Sequence, residues 1–291
     1  MLKNYRFRMW FLSGVLVLLA ASFLPAHAET FRVPLIGDAE NGPFAYQYKL
    51  LRLALDHSGE THQIEFIDHV GTPASRIMEL MDAGDSDVMF TGYSLAWEQK
   101  FAQVDFPLTR GILGHRIFAT RGELSGALDH VRNVEELKHH CIGSGTDWPD
   151  TKILEANGFC VEKAAYQNLW QMLSHSRFDF FNRGAHEVYS EVKQAQEAGE
   201  NVIVEEHILL VYPMDFFFYV RADDAVRHEI LTTGLKNAYE SGAFMRNFYS
   251  DIGIAKALRA ANDDQRVVFR LENPFMSEST LHIAPDYWEM Y

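Results

Sequence analysis

The stretch Arg110-Gly-Ile-Leu-Gly-His-Arg-Ile-Phe-Ala-Thr-Arg121 decides how this sequence folds. Three rounds of strand and helix precede it, and the alternation of strands and helices resumes after it. About a hundred residues later, a second extended run, Asp215-Phe-Phe-Phe-Tyr-Val-Arg221, has a composition typical of a strand. We interpret the two runs as paired crossing strands between two α/β lobes, with a cleft beneath them. Such an arrangement suits a protein that closes around a small solute.

Residues 1–28 have the features of a cleavable secretory signal peptide. Three basic residues precede an apolar run, Trp10–Leu24, and the segment ends in the small-residue site Ala26-His27-Ala28. The alternative is an uncleaved membrane anchor, but the apolar run is shorter than the ~20 residues that span a bilayer. We therefore expect cleavage after Ala28 and export from a Gram-negative cell into the periplasm.

The mature chain is strongly acidic. Residues 1–28 carry three of the 26 basic residues and none of the 40 acidic residues, so the remaining 263 residues have a net charge of −17. This charge argues against nucleic acid or an anionic membrane surface as a partner. No later apolar run is long enough to cross a bilayer, and the length suits two lobes of ordinary size. We expect a soluble monomer.

Only two cysteines are present, Cys141 and Cys160. Each opens a predicted strand, with a helix between them, and the starts of neighbouring parallel strands can lie within disulfide reach. An oxidising compartment favours a disulfide over two buried thiols. Closing a loop of ~20 residues would contribute roughly 3 kcal/mol in the chain-entropy model. Neither cysteine has a CxxC partner, so we predict neither a metal site nor a cofactor.

Five short motifs carry a resemblance to a known family. In chain order they are Gly84-Asp-Ser-Asp-Val-Met-Phe-Thr-Gly92, Val104-Asp-Phe-Pro107, Gly143-Ser-Gly-Thr146, Ser176-Arg-Phe-Asp179 and Glu240-Ser-Gly-Ala-Phe244. Their order resembles the type 2 periplasmic solute-binding fold, specifically the amino-acid-binding (family 3) group of ABC transporter substrate-binding proteins. Two of the motifs, extended to Trp148-Pro-Asp150 and to Arg183-Gly184, are similar to those of an orphan subgroup.

The resemblance implies a two-lobed α/β fold with mainly parallel sheets joined by two crossing strands. The expected division is residues 29–115 for the first part of lobe 1 and 116–215 for lobe 2. Residues 216–291 are expected to form the return strand and the C-terminal part of lobe 1. Ligands of such sheets bind beyond the carboxyl ends of the strands.

Two positions depart from the family pattern. Lys100 stands where the family has an arginine that binds the α-carboxylate, and a lysine keeps the charge but loses the bidentate fork. Arg183 stands where the family has an acidic residue for the α-amino group, and an arginine there would repel an ammonium. The sequence therefore favours a ligand with an anionic or strongly hydrogen-accepting group on the side of the second lobe.

In the second lobe, Ser144-Gly-Thr146-Asp147 lies between a predicted strand and a helix. Free backbone N–H groups and the helix dipole at such a position form an anion site. The alternative is a plain helix cap by Thr146 or Asp147. Arg183 offers a guanidinium to the same anion, or else pairs with Glu187 four residues later.

In the first lobe, the hydroxyls of Thr91, Tyr93 and Ser94 follow the third predicted strand and are candidate hydrogen-bonding groups. Other residues have open roles. The aromatic residues Phe44, Tyr46 and Trp148 form either cleft walls or core. Asp38 either meets a cationic group or caps a turn, and Arg116 either enters the cleft or bridges the lobes.

Three functions remain open from the sequence. The first is a solute-binding protein that delivers a small polar or anionic solute to an inner-membrane permease or sensor. The second is a sensory or interaction protein with a degenerate cleft. The third is an enzyme such as the dehydratases that resemble this family, with Glu187, Asp147 or His186 as an acid or base. No nucleophile or metal signature is present, so we predict that the protein is not an enzyme.

Overall fold

The computed structural model describes residues 28–40, 42, 44–69, 72 and 74–288. Except for Ala28, the predicted signal peptide lies outside the described residues. Within these ranges no helix combines the length and the apolar character that crossing a membrane requires.

The described chain alternates short strands with helices, as the sequence predicts for the α/β class. The strands are β1 (Thr30–Leu35), β2 (Gln63–Asp68), β3 (Val88–Gly92), β4 (Phe101–Gln103), β5 (His115–Arg121), β6 (Cys141–Gly145), β7 (Cys160–Ala164), β8 (Phe180–Gly184), β9 (Val202–Val204), β10 (Ile208–Val211), β11 (Phe216–Arg221) and β12 (Val267–Arg270). The helices are α1 (Ala45–Asp56), α2 (Ala74–Ala83), α3 (Leu95–Lys100), α4 (Val134–Leu137), α5 (Pro149–Ala156), α6 (Tyr166–Ser174), α7 (Val188–Glu197), α8 (Ala225–Glu240), α9 (Ala243–Ser250), α10 (Ile252–Ala261) and α11 (Glu278–Leu281).

The first lobe contains two small sheets. β1 and β2 pair in parallel, and β11 lies between β3 and β4, antiparallel to both. β1 lies beside the start of β3, because the Asp87 N–H donates to the Arg32 carbonyl over 2.9 Å and the two side chains form an ion pair. The strand orders are β1-β2 and β3-β11-β4, and the two sheets adjoin at this contact.

The second lobe contains a seven-stranded sheet. Its order is β12-β10-β5-β8-β6-β7, and β9 also pairs with β5. β5 is antiparallel to β8, β9 and β10, whereas the other pairs are parallel, so every strand except β5 runs in one direction. The sheet is therefore mostly parallel.

The chain passes between the lobes at residues 104–114 and again at 212–216. The predicted pairing of the two crossing strands is wrong in its partners, because β5 pairs with β10 while β11 pairs with β3 and β4. The two passages meet instead through their connecting segments. The Leu108 N–H donates to the Phe216 carbonyl over 3.0 Å, and the Tyr212 N–H donates to the Gly114 carbonyl over 3.1 Å. Each strand stays inside one lobe because its side chains are buried there on both faces.

Part of the C-terminal region lies in the second lobe. The sequence analysis assigned residues 216–291 to the first lobe, but β12 pairs in parallel with β10 of the second-lobe sheet. The Arg266 guanidinium holds the start of β12, because it donates to the carbonyls of Ile208 at 2.8 Å and Glu205 at 3.0 Å. Pairing with β12 covers the otherwise open edge of β10, which explains why this short apolar run leaves the first lobe.

The tail, residues 271–288, then returns to the first lobe and forms a third connection between the lobes. In the second lobe, the Asn157 side chain pairs with the backbone of Glu272, at 2.8 and 3.3 Å. In the first lobe, the Gln103 amide donates to the Thr280 hydroxyl over 2.9 Å, and both residues are buried. Any opening of the lobes must therefore move this tail.

Cys141 and Cys160 are directly opposite each other in the register of β6 and β7. They form a disulfide with an Sγ–Sγ distance of 1.97 Å and a Cα–Cα distance of 4.7 Å. The bond ties the edge strand β7 to the second-lobe sheet, and it is the pairing that the predicted compartment favours.

Candidate ligand-binding site

A cavity of about 270 Å³ lies between the lobes, next to the carboxyl end of β3 and the start of α5. Ligands of open α/β sheets bind at such strand ends. Its walls come from the first lobe, the second lobe and the tail: Tyr93, Ser94, Leu95, Ala96, Gln99, Asp147, Pro149, Lys152, Ile153, Asn273 and Phe275. A solute in this cavity contacts all three parts of the chain.

Lys100 lies away from this cavity. It lines a second hollow of about 420 Å³ at the opposite end of the first-lobe strands, and its ammonium pairs with Asp82 at 3.0 Å. Helix α3 begins with Leu95 at the cavity and ends with Lys100, and five residues of helix span about 7.5 Å. The second hollow is lined by the first lobe alone. The interlobe cavity is therefore the better candidate for a ligand-binding site.

The first-lobe wall is held by hydroxyl groups around one carboxylate. Tyr93 is buried, and its hydroxyl donates to Glu98 over 2.7 Å and accepts from the Ser277 N–H over 2.9 Å. The hydroxyls of Ser277 and Ser279 donate to the other Glu98 oxygen at 2.7 and 2.6 Å. Burial would raise the pKa of Glu98, but these hydrogen bonds lower it below its usual value. The Tyr93 hydroxyl is thus engaged with the tail, whereas Ser94 precedes α3 and lines the cavity.

Two glycines shape the second-lobe wall. A Cβ on Gly143 would lie 2.3 Å from the Phe178 ring, and a Cβ on Gly145 would lie 2.4 Å from the Trp148 ring. Glycine is therefore required here for close packing of aromatic rings. The sequence pattern was interpreted as an anion-binding loop, but its glycines have this second explanation.

The polar groups of that loop already have partners within the protein. The Thr146 N–H donates to the Ala164 carbonyl over 3.1 Å, and its side chain faces solvent. The Ser144 hydroxyl is fully buried and accepts from the Thr151 hydroxyl over 2.8 Å. Because these groups already have partners, fewer of them are available to bind an anion than the sequence predicts.

Two charged side chains, one acidic and one basic, line the cavity. Asp147 and Lys152 both line the wall that α5 forms, and both are exposed. Among the residues that the structure describes, neither has an ion-pair partner within 4.0 Å. The cavity therefore offers one anionic and one cationic group to a solute.

Arg116 points into the second lobe rather than toward the cavity. It is 2 % exposed, and its guanidinium pairs with Asp150 at 3.1 Å and donates to the Leu113 carbonyl over 3.0 Å. Asp150 also accepts from the Tyr212 hydroxyl over 2.5 Å. Burial raises the pKa of Tyr212 well above its usual value, with the Asp150 charge adding to the effect. Asp150 lies in the first turn of α5 and follows Pro149 of the cavity wall, so it brings this network next to the cavity.

Arg183 is neutralised by two carboxylates. Its guanidinium contacts Glu191 at 2.5 and 2.7 Å and Glu187 at 3.0 Å, and it lies 4.8 Å from the centre of the Trp148 ring. Burial would lower the pKa of Arg183, but the two carboxylates raise it above its usual value. In turn, Arg183 overcomes the effect of burial on Glu187 and holds its pKa at about 2. The local pairing with Glu187, the alternative left open by the sequence, is present.

Asp215 joins the two passages between the lobes. Its buried carboxylate accepts from the Thr109 N–H and hydroxyl at 2.8 and 2.9 Å, from the Phe216 N–H at 2.6 Å and from the Gly111 N–H. Gly111 has a φ of 88°, which suits glycine and lets the turn fold back onto the carboxylate. Burial raises the pKa of Asp215 to about 7, although these four donors oppose the shift.

The remaining candidate residues lie around the first lobe. Asp38 is exposed, and its carboxylate accepts from the Glu40 N–H over 2.7 Å, which is the turn-capping arrangement. The Phe44 ring packs against Phe90 at 5.6 Å and contributes to the core. Thr91 is half-buried within β3. Of the eleven predicted ligand-binding residues, Tyr93 and Ser94 line the cavity directly, while Thr146 and Trp148 flank Asp147.

The sequence analysis missed several lining residues. No local signal marks Gln99 or Lys152 as a contact for a ligand. Asn273 and Phe275 belong to residues 216–291, which were expected to form the return strand and the C-terminal part of the first lobe. Their contribution depends on a contact between segments about 180 residues apart in sequence, so no short-range pattern could reveal it.

One cluster of described residues has the side-chain types of a metal site. It comprises Cys141, Cys160 and Glu162. Both sulfur atoms are used in the disulfide, and a metal ion binds cysteine as the free thiolate. The cluster therefore does not fit a metal ion.

Comparisons with known proteins identify the fold. No family model matches the chain, and a search of curated proteins finds no significant match. Among solved structures, an arginine 3rd transport system periplasmic binding protein from Legionella pneumophila has a TM-score of 0.58 at 13% identity, over 77% of this chain and 100% of that one. The protein has the two-lobed fold of periplasmic binding proteins. This confirms the predicted fold class.

Two further structures show what else this fold carries. A histidine kinase sensor domain with similarity to periplasmic binding proteins has a TM-score of 0.57 at 14% identity, over 77% of this chain and 96% of that one. The ancestral amino acid-binding protein AncCDT-1, a precursor of cyclohexadienyl dehydratase, has a TM-score of 0.55 at 14% identity, over 76% and 95%. At such identities the likeness concerns the fold, and function must be argued from the site.

Proposed function

We propose that this protein is a periplasmic solute-binding protein that captures a small polar or anionic solute between its two lobes. The observation that supports this function best is the interlobe cavity, whose walls come from both lobes and the tail. A solute in such a position favours the closed arrangement, because it contacts both lobes only when they are together.

The charges at the cavity support a charged or polar solute. Lys152 is available to an anionic group and Asp147 to a cationic one, with Ser94 and Gln99 as hydrogen-bonding groups. We assign the anionic contact to Lys152 rather than to Arg183, because Glu187 and Glu191 already neutralise Arg183. The objection to an ammonium group on the ligand, which rested on the charge of Arg183, is correspondingly weaker.

We propose that the solute-loaded form delivers its cargo to an inner-membrane partner, either an ABC-type importer or a sensor. Both uses occur on this fold, in the Legionella transport protein and in the histidine kinase sensor domain. Export by the predicted signal peptide would bring the protein to the compartment in which such partners are accessible.

Binding is a better proposal than catalysis. Among the described residues that line the cavity there is no His or Cys, so the Ser94 hydroxyl has no imidazole base beside it. Asp147 is exposed and offers no shielded acid or base.

A thermal-shift screen of the mature protein tests the proposal. The panel contains amino acids, dicarboxylates, sulfonates, small peptides, and aromatic acids and amines. A cognate solute at 100 times its Kd should raise the free energy of unfolding by about 2.7 kcal/mol. The proposal is contradicted if no solute in the panel stabilises the protein, or if a stabilising solute is converted to product.

Variants of the cavity wall then locate the site. For an anionic hit, Lys152→Met should weaken binding at least tenfold, because the ammonium that faces the solute is lost (about 1.4 kcal/mol). Lys236→Met is the matched control, since Lys236 is an exposed lysine of α8 that does not line the cavity. Equal loss in both variants, or no loss in either, would place the solute elsewhere.

A further inference from the structure

The tail places a large, partly free aromatic ring at the cavity. Phe275 lines the cavity and is 37% exposed, although the tail is anchored on both sides of it. On one side, the Asn273 amide donates to the Pro213 carbonyl over 2.7 Å. On the other, the Ser277 N–H donates to the Tyr93 hydroxyl over 2.9 Å. The ring is therefore held in position while part of its surface remains available.

Other apolar side chains converge on the same space. Leu95 lies in the first turn of α3 and is 40% exposed, while the half-buried Pro149 and the buried Ile153 line the wall that α5 forms. Phe275 and Leu95 are thus two large apolar side chains that stay partly exposed at one cavity, which indicates a binding surface for an apolar group. The charged side chains of Asp147 and Lys152 lie on the wall formed by α5, so apolar and charged surfaces meet at the same site.

The size of the cavity limits the solute. An engineered cavity of about 150 Å³ is sufficient for one benzene molecule. A cavity of about 270 Å³ therefore has room for one ring and a short charged substituent. A solute that is polar on all sides would leave the surfaces of Phe275 and Leu95 against polar groups and would gain nothing from them.

We infer that the solute consists of an aromatic ring with a short charged substituent, and that Phe275 of the tail selects the ring. The inference rests on the proposed solute-binding function. Aromatic pairs gain energy beyond their buried area in offset-stacked or edge-to-face arrangements. The specificity of the interlobe cavity for its solute is thus set by a residue of the tail, the third connection between the lobes. It is not set by the two passages at residues 104–114 and 212–216.

Calorimetric titration of the mature protein with four probes tests this inference. The probes are phenylacetate and acetate, which share an anionic group, and 2-phenylethylamine and ethylamine, which share a cationic one. For one of the two charges, we expect the probe with the ring to bind at least tenfold more tightly than its counterpart without the ring. Phe275→Ala should weaken binding of that probe about tenfold (1.4 kcal/mol), and Phe275→Leu should weaken it less.

The matched control is Tyr249→Ala, because Tyr249 is a 54% exposed aromatic residue on α9 that does not line the cavity. It should bind all probes as the wild type does. Equal affinity for probes with and without the ring, or an unchanged ring preference in Phe275→Ala, overturns the inference and leaves the proposed function standing. Binding of ring-free solutes alone also overturns the inference and leaves the proposed function standing. If no solute of any class binds, both the inference and the proposed function are wrong.

Discussion

The two walls of the interlobe cavity bury polar groups in different ways. The first-lobe wall surrounds one carboxylate, Glu98, with the hydroxyls of Tyr93, Ser277 and Ser279. The second-lobe wall rests on buried ion pairs, of which Arg116–Asp150 is 2% and 6% exposed at its side chains. A hydroxyl network can be exchanged for water when the lobes separate, whereas a buried ion pair cannot lose one partner without a large penalty.

This difference indicates which of the two walls changes when the lobes separate. The first-lobe network includes the tail, so it can break when the tail is displaced. The second-lobe pairs lie within a single sheet and its helices, so they stay intact in any rigid-body motion of the lobe. We therefore expect the second lobe to behave as a rigid unit and the first-lobe surface with its tail to adapt to the solute.

The largest expected effect comes from breaking a second-lobe pair. Asp150→Ala leaves the Arg116 charge buried without its partner and should lower the free energy of unfolding by about 3–5 kcal/mol. The first-lobe counterpart Glu98→Ala removes hydrogen bonds at a partly exposed site and should cost about 1–3 kcal/mol. Urea unfolding of both variants measures the difference. Equal losses of unfolding free energy in the two variants would contradict the contrast between the walls. The double variant Arg116→Met/Asp150→Leu, which removes both charges, should regain most of the stability that Asp150→Ala loses.

Asp215, at the passages between the lobes, provides a pH-dependent test. Its folded pKa of about 7 lies above the ordinary value of 3.8, so between these values the folded state holds a proton that the unfolded state has lost. The contribution of Asp215 to stability is therefore greatest below pH 4 and decreases as pH rises to about 7. At its steepest, the decrease approaches about 1.4 kcal/mol per pH unit.

Comparison with Asp215→Asn isolates this group from the other carboxylates. The difference in unfolding free energy between wild type and Asp215→Asn should fall between pH 4 and 7 and be constant above that range. A difference that rises with pH would mean that the four hydrogen-bond donors dominate over burial and hold the pKa low.

The disulfide should stabilise the second lobe and leave the first unchanged. Cys141→Ser/Cys160→Ser opens a loop with a sequence separation of 19. The chain-entropy model predicts a loss of about 3 kcal/mol for such a loop. Hydrogen exchange should show faster exchange in β6 and β7, with unchanged protection in β3 and β11. Equal loss of protection in both lobes would show that they unfold together.

The smallest effect is expected at Lys100, which lies at the far end of the first lobe. Its ion pair with Asp82 is exposed on both sides, so Lys100→Met should change the free energy of unfolding by less than about 1 kcal/mol. Affinity for any solute found in the screen should stay within a factor of two of wild type, because the side chain does not line the interlobe cavity. A tenfold loss of affinity would restore Lys100 to the site.

Local sequence signals were sufficient to predict where strands lie, but they did not predict which strands and which charged side chains pair with each other. The pattern of short apolar runs and turns predicted β5 and β11 as strands, because alternation is a property of neighbouring residues. It did not predict that β5 pairs with β10, since several strands of similar composition compete for each edge. Arg183 shows the same limit: its partner Glu187 was visible at a spacing of four residues, while Glu191 became a partner only through the fold around α7.

The site depended on tertiary structure for a further reason. Tyr93 and Ser94 could be placed near the cavity because they follow β3, and strand ends mark ligand sites in α/β sheets. Lys100 was assigned to the same site by family position, but the direction of α3 carries it to the opposite end of the lobe. Phe275 was not predicted as a site residue, because nothing near it in sequence shows that the tail crosses between the lobes.

The α/β class followed from the sequence, because the alternation of strands and helices is a local periodicity. The two lobes and the two passages between them were expected from the two extended runs together with the family resemblance. The disulfide partners were fixed because the chain has only two cysteines. The tertiary structure alone decided which strands share a sheet, that the tail closes the cavity, and which charges remain free to meet a solute. The physical reason is that pairing, burial and the neutralisation of charge depend on residues far apart in the chain, which come together only on folding.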